Sequence, residues 1–85
     1  MKHFASSQFW RYYLKLPAST RKLADKNFDL LKTKTNHPSL HIKKVGSYWS
    51  VRIGKRYRAL AIEKPEGLIW FWIGKHSDYD KLITS

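Results

Sequence analysis

Residues 40–62 read LHIKKVGSYWSVRIGKRYRALAI, and the alternation within them decides the fold. Trp49, Val51 and Ile53 alternate with Tyr48, Ser50 and Arg52, the period-two pattern of a strand with one buried face. Gly54 and its basic neighbours Lys55 and Arg56 interrupt the run, and Tyr57 to Ile62 resumes it, which predicts a β-hairpin with an arginine on each leg. With a loop of Gly54 to Arg56, Ile53 faces Tyr57 and Arg52 stands across from Arg58, on the face away from Trp49 and Val51. Any odd loop length keeps the two arginines on one face. Like charges directly opposite each other destabilise a sheet by about 0.2–1 kcal/mol, a cost that a bound anion would relieve. On the preceding leg, either Lys43 or Lys44 must join the arginine face, whichever way the alternation falls. From Leu30 to Ile62 there are eight Lys or Arg and no carboxylate. A charge run is most often a solvated face, but the missing carboxylates tip the reading toward an anion site.

Downstream of the hairpin, Lys64-Pro65-Glu66-Gly67 is a turn, and LIWFWI (Leu68 to Ile73) is apolar on both faces, as expected of a central strand covered on both sides. Gly74-Lys75-His76 leaves that strand, and Ser77-Asp78-Tyr79-Asp80 opens a last helical segment with Ser77 as its cap. Upstream, Asn36-His37-Pro38-Ser39 ends a helix, because the residue before a proline avoids the α region. That helix carries Leu23, Ala24, Phe28 and Leu31 at helical spacing, a face expected to lie on the sheet, with Pro17 in its first turn. Before it, Ser6 or Ser7 caps a short helix with an apolar stripe of Phe9, Tyr13 and Leu16, flanked by Trp10 and Leu14. Met1 to Ala5 reads as a short edge strand.

These elements predict an α+β fold: a small twisted, mostly antiparallel sheet, two N-terminal helices on one face, a short C-terminal helix and a basic opposite face. The 85 residues make one domain, 1–85, with a modest core to which 13 aromatics contribute. A net charge of +11 points to a polyanion or an acidic protein partner. The absence of cysteine excludes disulfides, thiolate metal sites and thiol redox chemistry, in keeping with a reducing cytoplasm. The N-terminal MKHFASSQFWRYYLKLP has no apolar core of the secretory type, and no apolar run is long enough to span a bilayer, so neither export nor membrane insertion is expected.

The HIKKV leg (His41 to Val45), the WSVRIG and YRALA legs, and the apolar strand ending in WIGKHSDY, all behind two N-terminal helices, resemble the RelE/ParE superfamily of bacterial toxins from toxin–antitoxin systems. The likeness spans nearly the whole chain. Its most specific part is the pair of arginine-bearing strands followed by an apolar strand and a G-x-H-x-x-Y ending. The RelE branch cuts messenger RNA on the ribosome with basic residues on the sheet and a C-terminal His, Arg or Tyr, whereas ParE relatives poison DNA gyrase. The resemblance therefore implies a cytoplasmic, metal-free and cofactor-free mRNA endoribonuclease whose partners are an antitoxin, mRNA and the ribosome. The alternative is a non-enzymatic ParE-like gyrase inhibitor or an inert basic binding module.

Carried over residue by residue, the resemblance assigns catalytic roles to Arg52, Arg58, His76, Tyr79 and Lys44 and matches Lys43 to a basic position of the second strand; Lys43 and the basic loop residues Lys55 and Arg56 are expected to bind RNA. Tyr79 follows His76 by three residues, closer than the family's C-terminal tyrosine often lies. The chemistry suits these residue types. Metal-free RNA cleavage must activate the 2′-hydroxyl, stabilise charge on the phosphorane and protonate the 5′ leaving oxygen. A guanidinium holds its charge at any relevant pH and can grip two phosphate oxygens, and a histidine can move the proton. His3 and His41 read as ordinary solvent or packing residues, and His37 belongs to the turn.

Other chemistries fit less well. The carboxylates Asp25, Asp29, Glu63, Glu66, Asp78 and Asp80 are scattered, which argues against a glycosidase or a metal-dependent nuclease. His76-Ser77-Asp78 are consecutive and cannot face one another as a hydrolytic triad must. Trp70 and Trp72 are core before they are base-stacking platforms.

Overall fold

The structure, a computed structural model, describes residues 2–84. The elements run β1 (His3–Ala5), α1 (Ser7–Leu14), α2 (Ala18–Thr33), a 3₁₀ turn (Pro38–Leu40), β2 (Lys43–Val45), β3 (Tyr48–Ile53), β4 (Tyr57–Lys64), β5 (Gly67–Lys75) and α3 (His76–Thr84). The five strands form one sheet in the order β1-β5-β4-β3-β2. Only the β1–β5 pair is parallel. The expected α+β architecture, with its mostly antiparallel sheet, is what the chain adopts.

The hairpin has the register read from its sequence: Arg52 pairs with Arg58 and Ile53 with Tyr57. Gly54, at φ +64°, supplies the left-handed residue of the loop, and a side chain there would run into Leu23. Val51, Ile53 and Ala59 face the helices, in one core with Phe9, Leu31 and Trp70. Gly67 begins β5 at φ +145° against the main chain of Lys2, whose carbonyl accepts from Leu68 N–H at 2.9 Å.

Strand β5 has neighbours on both sides, although the middle of the sheet is β4. Its all-apolar sequence is explained by a bulge: Leu60 pairs with Trp72 and Ala61 with Trp70, leaving Phe71 as the extra residue. Without the bulge, both indoles would share a face. With it, Trp70 joins the helix-side core, while Trp72 and Phe71 lie on the other side against α3. Both tryptophans are buried, as core residues should be.

The helices agree with their sequence in kind and differ in detail. Ser6 caps α1, its Oγ accepting from Phe9 N–H at 3.1 Å. Leu14 and Trp10 of that helix remain exposed. Pro17 is the residue before α2 rather than part of its first turn. The face α2 buries is Thr20, Ala24, Asn27 and Leu31; Phe28 packs at its side, and Leu23 keeps an exposed edge. The stripe is thus rotated toward two polar residues, because Asn27 has a partner on the sheet. At the other end, α3 begins on His76 directly after β5, so Ser77 is a residue inside the helix and not its cap.

The face opposite α1 and α2 is only partly open. Helix α3 packs Tyr79 on Leu60 and Trp72, covering the β4–β5 half of that face. What remains open is the end of β2, β3 and β4 nearest the arginines. No helix is long and apolar enough to cross a membrane among the described residues.

Candidate functional site

The site grows from the β3–β4 pairing. Residues directly opposite each other in an antiparallel pair project to the same face, so the Arg52–Arg58 register puts both guanidiniums on the open face. The β2–β3 register then resolves the two lysines. Lys43 pairs with Ser50 and lies on the arginine face, whereas Lys44 pairs with Trp49 and lies on the other. Pleat parity alone separates them: Lys44, the expected catalytic lysine, is turned away from the arginines, and Lys43 stands beside them.

Each arginine is held by its own hairpin. Arg52 Nε donates to the Gly54 carbonyl at 3.0 Å, and Arg58 donates from a terminal guanidinium nitrogen to the Tyr57 carbonyl at 2.8 Å. From behind the sheet, Asn27 Nδ2 donates to the Arg52 carbonyl at 2.9 Å. Among the described residues neither arginine forms an ion pair with a carboxylate. Burial and then the Arg52 charge push the Arg58 guanidinium below its usual pKa, with Tyr79 and Asp80 pulling the other way. Two cations are thus held together without a carboxylate in direct contact, an arrangement that favours an incoming anion.

Around them lies a pocket of about 290 Å³ lined by His41, Ile42, Lys43, Ser50, Arg52 and Arg58. His41 was read from sequence as an ordinary residue, but it touches the site: its Nε2 is 3.4 Å from an Arg52 guanidinium nitrogen. Its backbone is left-handed, φ +46° and ψ +46°, at the end of the 3₁₀ turn. Strand alternation begins only at Lys43, so it is the turn, and no period-two signal in the sequence, that brings His41 to the arginines.

His76, the first residue of α3, has its N–H donating to the Arg56 carbonyl at 2.7 Å. Its ring Nε2 is 3.3 Å from Asp80 Oδ1, and the ring lies 5.7 Å from that of Tyr79. It lines a separate, open pocket of about 480 Å³ with Lys55, Arg56, Tyr57, Lys75 and Ser77. His76 and the paired arginines therefore do not share one pocket. Asp80 connects them: it pairs with His76, and its charge reaches Arg58. The sequence contained this link as an i, i+4 pair on a helix.

Tyr79 is buried, its hydroxyl donating to the buried Ser50 Oγ at 3.2 Å. That bond ties α3 to β3 across β4 and keeps the ring packed on the sheet beside the arginines rather than in the open. Lys55 and Arg56 are exposed in the hairpin loop beside His76. No group of three or more His, Cys, Asp or Glu is placed to hold a metal ion among the described residues.

Across the sheet the order of side chains follows the strand order. His41 precedes β2, Arg52 is on β3, Arg58 is on β4 opposite Gly74 of β5, and His76 follows β5. In strand order the row runs His41, Arg52, Arg58, His76, with His41 in the arginine pocket and His76 in a separate one. The arginines can grip a phosphodiester, and the histidines are the groups of the row that can move a proton.

The comparisons with known proteins agree with this fold. In solved structures, the chain is similar to the RelB–RelE antitoxin–toxin complex from Methanococcus jannaschii, with a TM-score of 0.72 at 19% identity over 92% of this chain and 96% of that one. It is also similar to the isolated E. coli RelE toxin, with a TM-score of 0.63 at 11% identity over 96% of this chain and 94% of that one. Similarity at these identities speaks for the fold. No curated protein gives a significant sequence match. Residues 18–81, from the start of α2 into α3, match the family described as the ParE-like toxin domain, so the chain belongs to that family, a toxin of the RelE/ParE superfamily.

Proposed function

We propose that this toxin is a metal-independent endoribonuclease that cleaves messenger RNA on the ribosome. The observation that carries the reading is the Arg52–Arg58 pair, held side by side on an open face with Lys43 and His41 and without a carboxylate in the pocket. Guanidiniums in this arrangement suit the charge that develops on a phosphorane. Lys43, Lys55 and Arg56 extend the positive surface along the RNA backbone, and such contacts bind without reading sequence. His76 protonates the 5′ leaving oxygen, with Asp80 holding its ring. Tyr79 supports the site from the side, through Ser50. Lys44 lies across the sheet from this work and serves the general basic field.

An antitoxin is the expected protein partner, a reading supported by the likeness to an antitoxin–toxin complex. On a chain of +11, an acidic antitoxin segment would be drawn to the same face that holds RNA, by attraction that weakens with salt. Sharing that face would make inhibition and substrate binding exclusive.

The match to a ParE-like family favours one second reading, a non-enzymatic inhibitor of DNA gyrase. One experiment separates the two: induced expression with RNA 5′ ends mapped and DNA supercoiling measured in parallel. Cuts within translated codons are expected. Intact RNA with gyrase-linked DNA breaks would replace the first reading by the second.

A further inference from the structure

We propose that His41 is the general base of this site, opposed to His76 across the arginine pair. The inference rests on the endoribonuclease reading above and adds a residue to it. Three observations carry it. His41 is the one histidine lining the pocket of the two arginines. A guanidinium has N–H groups and no acceptor, so in the 3.4 Å contact with Arg52 the only role open to His41 Nε2 is that of acceptor, with the tautomer that carries its hydrogen on Nδ1. Finally, His41 is the only non-glycine residue with a positive φ among the described residues. Side chains seldom tolerate that conformation, and where they do it often serves to aim a group.

The row across the sheet supplies the geometry the reaction needs. In displacement at phosphorus the attacking and leaving oxygens lie roughly in line, so the base and the acid belong on opposite sides of the phosphate. In strand order His41 lies on the Arg52 side of the pair and His76, which follows β5, on the Arg58 side. When RNA enters, Arg52 turns its guanidinium N–H from His41 to a phosphate oxygen and releases the imidazole lone pair. His41 Nε2 takes the proton of the 2′-hydroxyl as the 2′-oxygen bonds to phosphorus. The bond from phosphorus to the 5′ oxygen breaks, its electron pair stays on that oxygen, and the proton from His76 completes a 5′-hydroxyl. The products are a 2′,3′-cyclic phosphate and a 5′-hydroxyl. His41 leaves the step protonated and His76 deprotonated, and exchange with water restores both.

The charged groups facing His41 are Arg52 from β3, Arg58 from β4 and Lys43 from β2; no residue of α2 lines the pocket. The test is His41→Asn in the full chain. Asparagine keeps the left-handed backbone but cannot accept the proton at neutral pH. Its single-turnover cleavage on programmed ribosomes is expected to fall by about 10²–10⁴-fold. The decline of the parent's rate at low pH should vanish with it, because that limb reports protonation of the base. Binding of the same message with a 2′-O-methyl group at the cut site should stay within a few-fold of the parent, and the RNA ends should be cyclic phosphate and 5′-hydroxyl. A variant that cuts at the parental rate with the low-pH limb intact overturns the assignment of His41 alone. A variant that has lost binding of the 2′-O-methyl message also overturns it, making His41 a binding group. A parent that does not cut on ribosomes overturns the endoribonuclease reading, and His41 as base falls with it.

Discussion

Asn27 Nδ2 reaches the main-chain carbonyl of Arg52 at 2.9 Å, so the helix layer behind the sheet holds the backbone of the residue whose side chain leaves from the front. Asn27 is buried, and its replacement by leucine keeps the bulk while leaving that carbonyl without its donor. Asn27→Leu is expected to lower stability by about 1–3 kcal/mol. Urea denaturation checks it, and a midpoint at or above the parent's would show that the bond contributes nothing net.

The arginine pair predicts opposed effects on stability and activity. Arg52→Gln removes one of two facing cations, so the protein should become more stable by about 0.2–1 kcal/mol, the scale of a cross-strand charge pair. RNA cleavage should fall together with the salt dependence of RNA binding. Thermal melts at low and high salt, read beside single-turnover cleavage, measure both. A stability gain equal at the two salt concentrations would exclude charge repulsion as its source.

His76→Gln is expected to slow cleavage by about 10²–10⁴-fold, the usual worth of a positioned proton donor. The side chain is partly exposed, at 45%, so folding should be nearly unaffected. A rate within a few-fold of the parent, at an unchanged melting temperature, would remove His76 from the chemistry.

Tyr79→Phe separates support from catalysis. Loss of the hydroxyl bond to buried Ser50 should cost about 0.5–1.5 kcal/mol of stability. Cleavage at a temperature where both proteins are folded should stay within a few-fold of the parent. A rate loss of a hundredfold there would place Tyr79 among the reacting groups after all.

His3 predicts a pH dependence far from the site. Its Nδ1 accepts from Trp70 Nε1 at 3.1 Å, and its Nε2 is buried without a partner. Burial first, aided by the Lys32 charge, holds its pKa below the ordinary 6.5. The unfolded chain therefore binds this proton more readily than the folded one. Stability should be full above pH 6.5 and fall as pH drops from there toward the lowered folded value. His3→Gln should flatten that part of the curve. Melting temperatures between pH 5 and 8 decide it, and parallel curves for the two proteins would clear His3.

How much of this was legible beforehand varies with the physical source of each feature. The Arg52–Arg58 face followed from pleat parity and a loop of odd length, both local. The phase of β2 was not local: Lys43 and Lys44 are equivalent until β3 is beside them, and His41 stayed hidden because a left-handed turn, not strand alternation, aims it. Asn27 sits among apolar neighbours at helical spacing, and its role depends on a carbonyl 25 residues away in the chain. The two tryptophans of β5 were readable as core, but the side each one faces was set by the bulge at Phe71, where tertiary packing overrides simple alternation. Tyr79 carried the right residue type for chemistry, and only the docking of α3 put it underground.

The parallel pairing of β1 with β5 also constrains when this toxin becomes whole. His3–Ala5 pair with Leu68, Ile69 and Trp70, far along the sequence from them. The hairpin bearing the arginines closes from neighbouring residues, whereas the sheet's other edge closes only by a contact spanning most of the chain, which is entropically slow. His76, Tyr79 and Asp80 lie farther along still. The hairpin that carries Arg52 and Arg58 can thus form from near neighbours, while the edge that β1 completes and the helix that carries His76 wait on contacts from far along the sequence.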